Sequence, residues 1–168
     1  ATHDGLLRQD VSPIDSAKTL ALINRMIGDI NNRQIYATPE EELSQCWHDD
    51  MIWWGPEGIG ATYTQSRYIE QHQRPFRAHL ADRKFNGHIA RLAEGNFGAF
   101  FGWPNLTLRP TGGFMGIPIG DEPTRTADMR VVDVYRRDGE KLAENWIFID
   151  MLHFLKMQGH DLLNEFVS

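Results

Sequence analysis

Two strand-like runs near the C-terminus, Thr124 to Arg136 and Lys141 to Asp150, are separated by Asp138-Gly139. An Asp-Gly step between β-branched and aromatic runs is a tight-turn signal, so the pair reads as a long antiparallel hairpin. Upstream, Asn86 to Glu94 and Phe97 to Leu108 read as two more strands joined at Gly95-Asn96. Trp103-Pro104 marks a bulge or interruption in the second, because proline cannot donate to a ladder. The first half has a different period. Leu20, Ile23, Met26, Ile27 and Ile30 recur at helical spacing and predict a helix from Ala17 to about Asn31, capped by Asp15 or Ser16. Thr38-Pro39-Glu40-Glu41-Glu42 supplies a cap, a proline at the first position and acids in the first turn, predicting a short helix to about Trp47. Met51 to Trp54 reads as a short strand stopped by Gly55-Pro56, and Gln65 to Leu80 as a third helix kinked at Pro75. Leu152 to Phe166 is a closing amphipathic segment. Helices first and an antiparallel meander second predict one α+β domain over residues 1–168, with 1–12 a loose arm.

Composition narrows the partners. The 168 residues are 41% hydrophobic and 24% charged, enough apolar material for a core. The net charge is -6, and Lys and Arg form no dense stripe, which argues against a nucleic-acid partner and against an anionic membrane surface. No run approaches the roughly 20 apolar residues of a membrane span. Cys46 is the single cysteine, so neither an internal disulfide nor a CxxC zinc site is available. Residues 1–10 are polar and lack the apolar run of a signal peptide, which makes the cytoplasm the expected location.

Several side chains are candidates for chemistry. His72 and His79 lie seven apart on one helix face, and imidazole titrates near neutral pH. His48, Asp49 and Asp50 are three metal-type ligands in a row, but neighbours on a strand point apart and cannot share one ion. Asp150 can either cap the last helix or orient His153. Trp53, Trp54 and Trp103 are the expected walls of a flat apolar cavity, and Phe114 and Met115, in a glycine-rich loop, its expected lid. That loop lacks the lysine of a phosphate cradle.

A set of local motifs carries a family resemblance. These are Trp47-His48-Asp49-Asp50-Met51-Ile52-Trp53-Trp54-Gly55-Pro56, His72 to Arg83, Ala93-Glu94-Gly95-Asn96, Gly116-Ile117-Pro118, Arg130 to Arg136 with Asp138-Gly139, Ala143-Glu144-Asn145-Trp146, Asp150, and Gln158-Gly159. In this order and spacing the chain resembles the SnoaL-like polyketide cyclases and ester cyclases of the nuclear-transport-factor-2-like superfamily. The resemblance implies a cone: a curved antiparallel sheet wrapped by N-terminal helices around an apolar pocket. It also implies that His72 looks into the cavity and that the Asn145 side of the last strand lines it. Asp128 and Arg130 are expected to share that face. Family members often carry His where Asn145 stands and an acid just after the tryptophan, where this chain has Ile147.

The leading expectation is therefore a cofactor-independent cyclase- or isomerase-type enzyme acting on a small apolar or aromatic molecule. His72 or Asp128 would be the base, and Arg130 with Asn145 the donors to a developing enolate oxygen. Two other readings stand beside it. Ile147 favours a binding domain of the same fold without catalysis. An apolar outer sheet face, with Val131, Val134, Trp146 and Phe148, favours a homodimer, which is compatible with either.

Overall fold

The computed structural model describes residues 1, 11–32, 35–56, 58–113 and 124–167. Its first element, α1 (Pro13–Asn31), starts earlier than periodicity alone predicts. Ser12 is the N-cap, its hydroxyl accepting from the Asp15 amide at 3.3 Å, and Pro13 occupies the first turn, where a missing N–H costs nothing. α2 (Pro39–Ser44) begins as expected, with the Thr38 hydroxyl accepting from Glu41 N at 3.1 Å. Then follow β1 (Trp47–Trp54), β2 (Ala61–Tyr63), α3 (Thr64–Tyr68), a π-helical turn (Ile69–Gln73) and α4 (Arg74–His79). The predicted third helix is thus broken near Pro75. The Arg74 amide reaches back five residues to the Ile69 carbonyl, widening the turn that holds His72.

The sheet is completed by β3 (Leu80–Phe85), β4 (Ala90–Glu94), β5 (Phe97–Pro110), β6 (Ala127–Asp138) and β7 (Lys141–Ile149), followed by α5 (Met151–Gln158) and α6 (Leu162–Glu165). The order is β2-β1-β7-β6-β5-β3, with β4 also on β5. All pairs are antiparallel except β1 with β7, so the sheet is mixed rather than wholly antiparallel as expected. β2 and β3 are too short, or too charged, to show in the residue pattern.

The hairpin expected at Asp138-Gly139 is present. Asp138 pairs with Lys141, and Gly139 takes φ +60°, a left-handed conformation that glycine adopts freely. Pairing then slips by one: Arg137 opposes Leu142, but Arg136 opposes Glu144. Ala143 is the extra residue of a β-bulge, and the slip decides which side chains share a face. An unbulged ladder would seat Asn145 opposite Val134, on the face of Arg130 and Asp128. With the bulge it sits opposite Tyr135, on the face of Met129, Val131 and Asp133. The expectation that Asp128 and Arg130 accompany Asn145 is corrected by this single residue.

Two apolar clusters flank the concave face. Ile23, Met26, Leu43, Trp47, Met51, Trp53 and Phe100 belong to one; Leu80, Leu108, Ala127, Met129 and Phe154 belong to the other. Ile59 and Ile147 touch both. α1 is tied to the sheet by buried Arg137, which donates to Thr19 Oγ1 (2.9 Å), Asp15 Oδ1 (2.9 Å), Asn96 Oδ1 (2.7 Å) and the Gly139 carbonyl. Lysine has no planar fork to reach so many acceptors. Arg137→Lys is expected to lower unfolding stability by about 2 kcal/mol, measured by urea titration. No described helix is long and apolar enough to cross a membrane.

Candidate active site

Between the clusters lies a cavity of about 510 Å³. One wall is an aromatic ladder from α3 through the π turn to α4: Tyr68, His72 and Phe76 recur every fourth residue and all line it. His72 stacks on Trp53, with ring centres 4.0 Å apart and planes 22° apart, and Tyr68 meets the same indole edge-on at 5.8 Å. Trp53 is 2% exposed. Burial pushes the His72 imidazole down to about 3, so at neutral pH it is an uncharged aromatic wall and a weak base.

The opposite wall comes from β6 and β7. Asp133, Tyr135 and Asn145 all face the cavity and are buried, Asp133 at 8% exposure. Asn145 Nδ2 donates to Asp133 Oδ1 at 3.2 Å and to the Val134 carbonyl at 3.1 Å. The Tyr135 hydroxyl also hydrogen-bonds the Asp133 carboxyl. Burial raises Asp133 to about 6, and the bonds from Asn145 and Tyr135 hold it from rising further. Burial, together with the nearby Asp133 charge, keeps both Tyr68 and Tyr135 above the usual phenol range, so both remain O–H donors. This arrangement is a carboxyl that ionises near neutrality, positioned by an amide and flanked by two phenols, in an aromatic enclosure. Such a group can take and return a proton.

Asp133 opposes Ile147 across the β6–β7 ladder. The acid that the family resemblance places after the tryptophan is missing from β7, but the adjoining strand supplies a carboxyl at the same level. An unbulged ladder would put Asp133 on the face opposite to Asn145, so alternation alone does not mark it as a site residue. Its signal was present: it is an acid among Val131, Val132, Val134 and Tyr135 in a strand buried at every second residue.

The other expected site residues are elsewhere. Asp128 accepts from Thr107 Oγ1 at 2.7 Å, and Arg130 pairs with Asp150 at 3.4 Å and lies over the Trp103 ring at 5.0 Å. Neither lines the cavity. Trp103 and Trp54, 48% and 37% exposed, are likewise absent from its walls, because both alternate onto the outer face. Of the expected set, His72, Asn145 and Trp53 come together. Phe114 and Met115 lie outside the described residues. Asp150 caps α5, accepting from the His153 amide at 3.1 Å. His48 Nε2 donates to the Asp138 carbonyl at 2.8 Å, while Asp49 accepts from Gln65 at 3.3 Å, so these neighbours diverge.

The architecture has close counterparts among solved structures. An NTF2-like protein of Burkholderia xenovorans LB400 superposes with a TM-score of 0.63 at 12% identity, over 85% of this chain and 97% of that one. The fold is nuclear-transport-factor-2-like. A Jannaschia sp. CCS1 protein described as a SnoaL-like polyketide cyclase matches at 0.60 and 16% identity, over 90% of this chain and 97% of that one. A Mycobacterium tuberculosis LEH-like epoxide hydrolase matches at 0.57 and 12% identity, over 91% and 98%. No family model matches the sequence, and no curated protein matches it. The nuclear-transport-factor-2-like cone accounts for the mixed curved sheet and for a cavity on its concave side.

Proposed function

We propose that this protein is a cofactor-independent acid/base enzyme of the cyclase or isomerase kind, acting on an aromatic or polycyclic ketone. The cytoplasm, where its lone buried thiol Cys46 would stay reduced, is the proposed location. The observation that carries the reading is Asp133, a buried carboxyl set near neutrality and facing an aromatic cavity. As carboxylate it takes the proton from the carbon next to the substrate carbonyl. The C–H electron pair moves into the new C=C bond, and negative charge gathers on the carbonyl oxygen. The Tyr68 phenol donates to that oxygen, since the Tyr135 proton is engaged with Asp133, and the Asp133 acid then returns its proton to carbon. Asn145 is the positioning residue that holds the carboxyl. The likeness to a protein described as a SnoaL-like polyketide cyclase supports the same substrate class.

α-Tetralone, a bicyclic ketone, tests the chemistry. In D₂O the protein is expected to speed exchange of its α-protons, followed by NMR, and Asp133→Asn to lose that acceleration. Tight binding without exchange would favour the second reading, a non-catalytic carrier, for which Ile147 at the family's acid position speaks.

We also propose that the outer sheet face is covered by a second copy of the chain. Trp54 and Trp146 are neighbours in register, and Phe148, 61% exposed, follows on the same face with Val132 and Val134. Monomers rarely leave so continuous an apolar patch to water, and a two-fold pairing covers it twice. Val131, expected on this face, belongs instead to the core. Light scattering at micromolar concentration is expected to give a dimer, and Phe148→Lys a monomer; a monomeric wild type would refute the pairing.

A further inference from the structure

The cavity has a second polar corner, remote in sequence from Asp133. β5 carries a wide bulge there: Gly102 opposes Val131 and Leu106 opposes Met129, leaving residues 103–105 against Arg130 alone. Trp103 turns out over Arg130, and Asn105 turns in, 9% exposed, to line the cavity. Gly102 makes room for it, since a Cβ there would stand 2.2 Å from the Asn105 Cβ. The bulge re-aims one side chain, as bulges beside binding sites do.

The hydrogen bonds around His88 fix which way the Asn105 amide faces. Arg91 Nε donates to His88 Nδ1 at 3.1 Å. A guanidinium nitrogen cannot accept, so Nδ1 carries no proton. Burial first, and the Arg91 charge second, push His88 down to about 4, so the ring is neutral and its one proton sits on Nε2. Nε2 lies 2.8 Å from the terminal amide atom of Asn105 placed as Nδ2, and the nitrogen and oxygen of an amide are exchangeable assignments. An N–H there requires an acceptor, so the amide must present its oxygen to His88 and turn its NH₂ away. Among the described residues the Asn105 side chain has no other hydrogen-bond partner. The relay is itself anchored. Arg91 donates to Asn24 Oδ1 at 2.9 Å and lies over Phe100 at 5.4 Å, and His88 stacks on Phe100 at 4.5 Å. Phe100 is the cross-strand partner of Asp133, which ties the two polar corners to one ladder.

We propose that Asn105 is a specificity-determining anchor whose NH₂ donates to a second carbonyl oxygen of the ligand, with His88, set by Arg91, as its positioning residue. The preferred ligand is therefore an aromatic molecule bearing two carbonyl groups, one at Tyr68 with its α-carbon toward Asp133, and one at Asn105. This rests on the cavity being the ligand site, as proposed above, but not on Asp133 being catalytic.

Two isosteric probes separate these ideas: 6-acetyl-1-tetralone and 6-isopropenyl-1-tetralone, which differ only in C=O against C=CH₂ at the second site. Dissociation constants are read by calorimetry. Relative to wild type, Asn105→Leu is expected to lower the affinity of the acetyl probe about 10-fold more than that of the isopropenyl probe. His88→Phe, which keeps the stack on Phe100, is expected to do likewise. Asp133→Asn is expected to keep the wild-type ratio while losing α-proton exchange. A ratio unchanged by Asn105→Leu, or both affinities falling in parallel, would overturn the anchor. A ratio unchanged by His88→Phe would overturn the relay. Exchange that survives Asp133→Asn would sink the catalytic reading and leave the anchor intact.

Discussion

Asp133→Asn is expected to reduce turnover of a ketone substrate by roughly 10²- to 10⁴-fold while changing its dissociation constant by no more than a few fold, the usual range for a general acid/base group. The substitution preserves shape and an acceptor for Asn145 but cannot hold or release the proton. The wild-type rate is expected to rise with pH through about 6 and then level, because the carboxylate is the reactive form and burial raises its pKa to about 6. Stability moves the other way. The folded protein binds this proton more tightly than the unfolded chain, so the favourable contribution is complete below about 4 and is lost as pH rises through about 6. A shift from 3.8 to about 6 corresponds to about 3 kcal/mol, which Asp133→Asn is expected to restore at pH 8. His72 and His88 carry the opposite sign. Burial lowers both, to about 3 and about 4, so their contribution is complete above about 6.5 and is lost as pH falls toward those values. Denaturant titrations of wild type and Asp133→Asn across this range check the sign.

Trp53→Ala is expected to cost about 3–5 kcal/mol of unfolding free energy, the range for deleting a large buried aromatic. The indole is 2% exposed and contacts His72, Tyr68 and the Gly55 backbone, where an added Cβ would approach its ring to 2.1 Å. Its loss leaves a void open to the cavity and strips His72 of its stack. A urea midpoint that falls at unchanged slope would report this loss. A change below about 1 kcal/mol would mean that the ring is not a packed wall of the cavity.

The residue pattern discloses the fold further than it discloses the site. α2 was legible because Thr38, Pro39 and three acids each satisfy a local requirement of a helix start, and the β6–β7 turn because Asp138-Gly139 admits a positive φ. Ser12-Pro13 is also a helix-start signal, but the apolar repeat of α1 begins only at Leu20. β3 was hidden because Leu80–Phe85 carries Asp82, Arg83 and Lys84 and follows a helix without a break. The site was harder because it depends on two bulges. Ala143 decides that Asp133, and not Arg130, shares the face of Asn145, and residues 103–105 decide that Asn105, and not Trp103, enters the cavity. A bulge is settled by packing against neighbouring strands, so alternation along one strand cannot disclose it. Tyr135 lies on the face that the Ala143 bulge aligns with Asn145, whereas Tyr68 lies on α3, and only the packing of that helix shows what its ring faces.

Titration of the Asp133 carboxyl carbon by ¹³C NMR, assigned by the signal missing from Asp133→Asn, reads the proton affinity of this group in place. A midpoint near 6 is expected, well above the 3.8 of an ordinary aspartate. A midpoint at or below 3.8 would place this carboxyl in water and contradict the reading of the concave face as a site for proton transfer.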